Sequence, residues 1–223
     1  MIFGLNYIAI FLNVMMVNED ILLSRGAVYK KIKKGDFIFS EGAKCNFYYQ
    51  LVEGKVSWVN YDAEGKVFIQ SIIMPGECFG ELPLFDDEAY AANSMAECDS
   101  IIIQLPKTTF LQLLKDNYDL HMAFSRLLAQ RVRYKFFILK ELACHNPEQQ
   151  IISLLNFYKE KYHHSVNEPF RINFTRQQLA GMTGLRVETV IRTIKKLCEK
   201  GMLTINKGKV YLMNNDSNHK SFI

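Results

Sequence analysis

Hydrophobic positions follow two different periods along the chain. From about Tyr29 to Gln104, short β-branched and aromatic runs alternate with turn signals, the pattern of an antiparallel β-roll or sandwich. Lys34-Gly35-Asp36, Glu53-Gly54-Lys55, Ala63-Glu64-Gly65-Lys66 and Pro75-Gly76-Glu77 supply turns. Between them, Phe37-Ile38-Phe39, Tyr48-Tyr49-Gln50-Leu51-Val52, Val56-Ser57-Trp58-Val59 and Ile101-Ile102-Ile103 read as strands. After Pro106 the period lengthens, and Phe110, Leu113 and Leu114 predict a short helix. The chain from Asp119 to Ala143 contains neither Gly nor Pro, which predicts one helix about 37 Å long. Its Leu128, Val132, Leu139 and Leu142 make an apolar stripe interrupted by Lys135. That stripe serves either a second copy of the chain or the chain's own roll, and periodicity leaves both open.

His145-Asn146-Pro147 ends the long helix, and a further amphipathic helix is predicted from about Pro147 to Tyr162. Phe170-Arg171-Ile172-Asn173-Phe174 reads as a strand. Thr175 followed by Gln178 is a capping-box signature, and Leu179 with Met182 gives the short helix it opens an apolar face. Gly184 stops that helix. A second helix turns Val190, Ile194 and Leu197 inward and sets Glu188 and Arg192 together on the opposite face. The small Ala180 suits a close helix crossing, so the pair reads as a helix-turn-helix. Met202 to Ile205, Asn206-Lys207-Gly208 and Lys209 to Leu212 then form a β-hairpin wing.

Charge sharpens the division. The net charge of +4 is uneven: 15 Lys/Arg stand against 17 Asp/Glu before Pro147, and 12 against 6 from it onward. A basic excess confined to the C-terminal third fits either a nucleic-acid partner or a solvated basic face. Glu188 and Arg192 have the chemistry to accept from cytosine and to bind guanine bidentately in the major groove. Their spacing equally suits a plain i,i+4 ion pair. The five cysteines are scattered without CxxC spacing, which suggests a reducing cytoplasm. The apolar first 17 residues lack a basic leader and a small-residue cleavage site and are short for a membrane span. They are expected to be a packing helix, or codons upstream of a start at Met15 or Met16.

From about Lys30 to Leu212 the sequence resembles the Crp/Fnr family of bacterial regulators. Gly35-Asp36-Phe37-Ile38-Phe39-Ser40-Glu41-Gly42, Leu51-Val52-Glu53-Gly54-Lys55-Val56 and Phe79-Gly80-Glu81-Leu82 resemble its cyclic-nucleotide-binding roll. Thr175-Arg176-Gln177-Gln178-Leu179, Gly184 and Val187-Glu188-Thr189-Val190-Ile191-Arg192 resemble its DNA-reading head. The resemblance implies an α+β fold: an N-terminal antiparallel β-roll of the double-stranded β-helix or jelly-roll type, a long dimerisation helix, and a C-terminal winged helix-turn-helix. The expected boundaries are an N-terminal segment at 1–28, the roll at 29–118, the dimerisation helix at 119–144, the DNA-binding domain at 147–214 and a polar tail at 215–223. It further implies a cytoplasmic homodimer, with no membrane partner, that binds a palindromic double-stranded DNA site and meets RNA polymerase.

Residue by residue, the resemblance makes Glu188 and Arg192 the base-reading pair. Val187 matches the Fnr branch, and Arg186 stands where Ser or Thr often caps the helix. Arg176, Gln177, Arg186, Val187, Thr189, Lys195, Lys207 and Lys209 complete the expected DNA surface. In nucleotide-binding members, Gly-Glu-Leu is followed about ten residues later by an Arg-Ser/Thr-Ala that holds the cyclic phosphate. Here Tyr90-Ala91-Ala92 stands there, without the arginine or the Ser/Thr hydroxyl. A buried phosphate without a partner is strongly disfavoured, so cAMP is expected to bind weakly at best. Glu81, Tyr90 and Ala91 would line this degenerate pocket, with Glu81 reduced to a turn residue. Lys135 and Phe136 occupy the adenine-facing helix positions, and Lys135 is the candidate replacement cation.

Enzyme chemistry finds no support. A metal-dependent cupin would need His ligands inside the roll, and no histidine lies between Tyr29 and Gln104. No cysteine precedes Cys45, which disfavours an iron-sulfur sensor. No cofactor is expected, while haem ligation by Cys78 and redox control through Cys78 or Cys98 stay open beside Cys78 as a buried apolar residue. The alternative function is a ligand-sensing signalling or scaffold protein that does not bind DNA.

Overall fold

The computed structural model describes residues 17–143, 146–162 and 169–213. Two compact units divide the chain between Tyr134 and Lys135. The expectations for residues 1–16 and for the polar tail beyond Met213 fall outside the described residues.

The N-terminal unit opens with α1 (Glu19–Ser24), capped by the Asn18 side chain, which accepts from the Asp20 amide. Eight strands follow: β1 (Val28–Ile32), β2 (Phe37–Phe39), β3 (Phe47–Glu53), β4 (Val56–Tyr61), β5 (Val67–Ile73), β6 (Cys78–Phe79), β7 (Asn93–Ala96) and β8 (Ser100–Pro106). Helix α2 (Leu82–Asp86) lies between β6 and β7, and α3 (Lys107–Asp116) and α4 (Tyr118–Ala143) follow the roll. The strands form two four-stranded antiparallel sheets, ordered β1-β8-β3-β6 and β2-β7-β4-β5. Crossing between the sheets is what makes this a roll. Tyr48, Leu51, Phe79, Ile102, Ile103 and Leu105 fill the interior. Phe110 of α3 stacks on Tyr48 at 4.2 Å between ring centroids, and Phe124 of α4 meets Phe110 edge-on at 5.1 Å, so both helices close the core. Gly54 turns β3 into β4 at φ +96°, and a Cβ there would fall 2.2 Å from Ser100 Oγ, so only glycine fits.

The C-terminal unit contains the end of α4 from Lys135, then α5 (Pro147–Tyr162), β9 (Phe170–Arg171), α6 (Arg176–Thr183), α7 (Val187–Glu199), β10 (Leu203–Asn206) and β11 (Lys209–Leu212). Its core joins Ile151, Leu154, Leu155 and Tyr158 of α5 to Leu179 and Met182 of α6 and to Val190, Ile194 and Leu197 of α7. The capping box is complete: Thr175 Oγ1 accepts from the Gln178 amide, and Gln178 Oε1 accepts from the Thr175 amide. Gly184 ends α6 at φ +69°, giving the bend between the two helices. The wing is the β10–β11 hairpin, extended by β9.

Two expectations shift. The predicted strand from Phe170 to Phe174 is extended in β9 over two residues only, although Ile172 and Phe174 remain buried. The apolar stripe of α4 is rotated from the one drawn on the sequence. Leu128 and Leu142 are half-buried within their own chain, whereas Ser125, Ala129, Val132, Phe136, Leu139 and Ala143 are exposed. These six follow one another at alternating intervals of four and three, the seam of a coiled coil. The helix packs Phe124 and Leu127 into the chain's own core, and a neighbouring face stays exposed.

Candidate nucleic-acid interface and sensor pocket

The face of α7 opposite its buried residues presents Glu188, Ile191, Arg192, Lys195 and Lys196 to solvent. Glu188 and Arg192 share one side, yet no ion pair joins them among the described residues. Each is therefore free to meet a partner outside the chain. Val187 and Thr189 are half-buried at the flanks of this face, and Arg186 is the exposed N-cap. Its side chain makes no capping hydrogen bond, so the positive end of the α7 dipole is left for an external acceptor.

Gln177 is exposed and Arg176 half-buried in the first turn of α6. Lys207 and Lys209 are exposed at the tip of the wing, where Lys207 takes φ +47° ahead of Gly208. Arg192 and Lys196 also border a surface groove of about 300 Å³ whose other wall is the start of α5, Asn146 to Glu148. There the Asn146 side chain accepts from the Glu148 amide at 3.0 Å, and Glu148 is ion-paired to Lys200.

Inside the roll the surroundings of Glu81 differ from expectation. Glu81 is fully buried and pairs with Arg131 of α4, so it is a charged partner rather than a bare turn residue. The helix cation is thus Arg131, one turn before Lys135. Arg131 also donates through Nη2 to the Cys78 carbonyl at 2.5 Å, and its guanidinium lies 5.1 Å from the Trp58 ring centre. Burial works to discharge Arg131, but Glu81, followed by Cys78 and Glu77, offsets this and holds its pKa above the ordinary value.

Tyr90 is buried and stacks on Phe39, with centroids 3.7 Å apart and planes 10° from parallel. Gly80 packs beneath both rings, since a Cβ there would sit 2.6 Å from Phe39 Cε1 and 3.1 Å from Tyr90 Cε1. Burial raises the Tyr90 pKa, so its hydroxyl stays neutral. Ala91 is exposed, and its carbonyl accepts from Asn60 Nδ2 at 2.9 Å. Where the resemblance implies an arginine and a Ser/Thr hydroxyl, the structure places the Tyr90–Phe39 stack and Ala91.

The thiols separate by environment. Cys78 is fully buried, and burial pushes its pKa up to about 12 despite the opposing pull of Arg131. Such a thiol is a poor redox nucleophile. Cys98 is exposed, Cys45 buried and Cys198 half-buried. Among the described residues, no group of three or more His, Cys, Asp or Glu is placed to hold a metal, and no helix is long and apolar enough to cross a membrane.

Residues 29–117 match the cyclic nucleotide-binding domain, and residues 149–216 match the Crp-like helix-turn-helix domain. The chain belongs to the Crp/Fnr family. Among Crp/Fnr relatives, the cAMP-activated global transcriptional regulator CRP of Pasteurella multocida is 29% identical over 184 residues, covering 82% of this chain and 88% of that protein. The cyclic AMP receptor protein of Thermus thermophilus is 26% identical, covering 79% and 80%. A solved Crp/Fnr-family transcriptional regulator from Thermus thermophilus is 26% identical at a TM-score of 0.63, covering 83% of this chain and 93% of its own. FixK2 of Bradyrhizobium japonicum, at 17% identity and a TM-score of 0.73 over 85% and 93% of the two chains, shares the fold.

Proposed function

We propose that this Crp/Fnr protein is a DNA-binding transcription regulator that acts as a cytoplasmic homodimer on a roughly palindromic site. The observation that carries this is the reading face of α7, where Glu188 and Arg192 are exposed side by side and not paired to each other. Arg192 is suited to a guanine edge and Glu188 to a cytosine amino group. Val187 inclines the preferred site toward the Fnr type. Thr189, Lys195, Arg176, Gln177, Arg186, Lys207 and Lys209 contribute contacts along the backbone, which supply affinity and register rather than sequence. The uncovered seam of α4 supports dimerisation, which sets two α7 helices about one DNA turn apart. Meeting RNA polymerase completes the role as a regulator.

In the same proposal, cAMP is not a tight ligand. The Tyr90–Phe39 stack offers a cyclic phosphate no positive charge, so desolvating the phosphate there goes uncompensated. Thiol switching through Cys78 has no part in the mechanism, because a fully buried thiol with a raised pKa supplies little thiolate.

The test is selection of bound sequences from a random double-stranded library by the full-length protein, with and without cAMP. Enrichment of an inverted repeat indifferent to cAMP is expected. Enrichment only with cAMP overturns the account of Tyr90 and Ala91, and enrichment of nothing under either condition moves the protein to a ligand-sensing scaffold.

A further inference from the structure

Two rows of side chains run along the outward side of α7, each stepping by one helical turn. Glu188, Arg192 and Lys196 make a charged row. Val187, Ile191 and Lys195 make the row beside it, and its first two members are aliphatic. Val187 is half-buried, whereas Ile191 is 43% exposed, the one exposed large apolar side chain of α7 among the described residues.

The fold does not call for isoleucine at this position. Val190, Ile194 and Leu197 fill the core of the unit from the opposite face. A β-branched residue is also a poorer helix former than the Lys, Arg and Glu around it. What Ile191 supplies is a fixed apolar surface: in a helix, Ile keeps essentially one χ1 rotamer, so its methyl groups have little freedom left to lose on contact.

The charged row can exchange hydrogen bonds with base edges in the major groove, but an aliphatic side chain cannot. The apolar group that a base presents there is the C5-methyl of thymine. A cytosine at the same place presents an amino donor, which Ile191 would cover without offering an acceptor.

We propose that Ile191 reads a thymine by burying its C5-methyl group, at a base pair next to the G·C pair read by Glu188 and Arg192. The aliphatic row thus adds a position of selectivity that hydrogen bonding does not supply. The assignment rests on the proposed function in taking α7 to enter the major groove.

The full-length protein first selects bound sequences from a random double-stranded library. Thymines of the enriched site are then replaced one at a time by deoxyuridine, which removes the methyl group and leaves the base pair intact, and affinity for each duplex is read by fluorescence anisotropy. One thymine in each half-site, adjacent to the G·C pair, should show a loss of about four-fold, the burial of a single methyl group. Ile191→Ala, which leaves the core of the unit in place, should bind thymine and uracil at that position alike while keeping its discrimination at the neighbouring G·C pair. The Ile191 assignment alone is overturned if the enriched repeat carries no thymine beside the G·C pair, if every uracil is tolerated, or if Ile191→Ala still separates thymine from uracil. Enrichment of no sequence at all overturns the proposed function together with it.

Discussion

Arg131, on the long helix α4, is ion-paired to Glu81, which immediately precedes α2 inside the roll. Glu81 is completely buried and the Arg131 side chain retains 21% of its exposure, so the pair works largely away from water. Removing one partner strands the other. Arg131→Ala should destabilise the N-terminal unit by about 3–5 kcal/mol, because it leaves an uncompensated buried carboxylate. Arg131→Met with Glu81→Leu, which removes both charges at similar bulk, should recover most of that loss. Denaturant unfolding followed by Trp58 emission measures both. Equal stability of Arg131→Ala and wild type would show that the pair is not structural.

This pair also marks where sequence reasoning stops. Local signals carried the C-terminal unit: a capping box needs only Thr175 and Gln178, and the buried face of α7 needs only the 3.6-residue period through Val190, Ile194 and Leu197. The surroundings of Glu81 and Tyr90 are built from distant partners. Phe39 meets Tyr90, and Glu81 meets Arg131, only once the strands have rolled and α4 has docked on them. Sequence matching set the helix cation at Lys135, one turn late, because it carries no information on how α4 sits against α2. A Cβ-free position followed by Glu, in Gly80-Glu81, was the one sequence signal that something packs closely there.

Cys78 and the tyrosines beside it set a pH dependence. Burial pushes Cys78 up to about 12 and Tyr49 up to about 12, each from an ordinary value near 9 or 10. In that window the unfolded chain has released protons that the folded one still holds, so stability must fall as pH rises. Below pH 8 these groups contribute no slope. Thiol chemistry should follow the same line. At neutral pH, alkylation of the native protein should modify exposed Cys98 and spare Cys78, as read by peptide mass spectrometry. Comparable labelling of the two would return Cys78 to consideration as a redox group.

The seam on α4 tests the dimer. Phe136 and Leu139 are 68% and 62% exposed, unusual for large apolar side chains on a helix this regular. Phe136→Asp and Leu139→Asp together would set two carboxylates within the proposed heptad interface yet alter no residue of the roll core. Light scattering should show a monomer that keeps its helical circular dichroism. DNA affinity should fall steeply in parallel, since two half-sites are then bound independently. A dimer that persists in the double variant would place the interface elsewhere.

The reading pair makes the most specific prediction. Arg192 is exposed on α7 and unpaired with Glu188, so in the proposed role its replacement removes a DNA contact and breaks no ion pair with Glu188. Arg192→Ala should therefore leave thermal stability within about 0.5 kcal/mol while weakening the preferred site by about 1–3 kcal/mol. The loss should fall at one base pair of each half-site, where discrimination against other bases relaxes. Lys207→Ala, at the wing tip, should behave differently. It should weaken preferred and scrambled sites alike and reduce the salt dependence of binding by about one phosphate contact. Measuring both variants against a panel of single-base substitutions at several salt concentrations separates sequence reading from phosphate attraction. If Arg192→Ala instead behaved like Lys207→Ala, losing affinity uniformly with selectivity unchanged, Arg192 would be a backbone contact and the base-reading role would have to pass to another residue of the exposed α7 face.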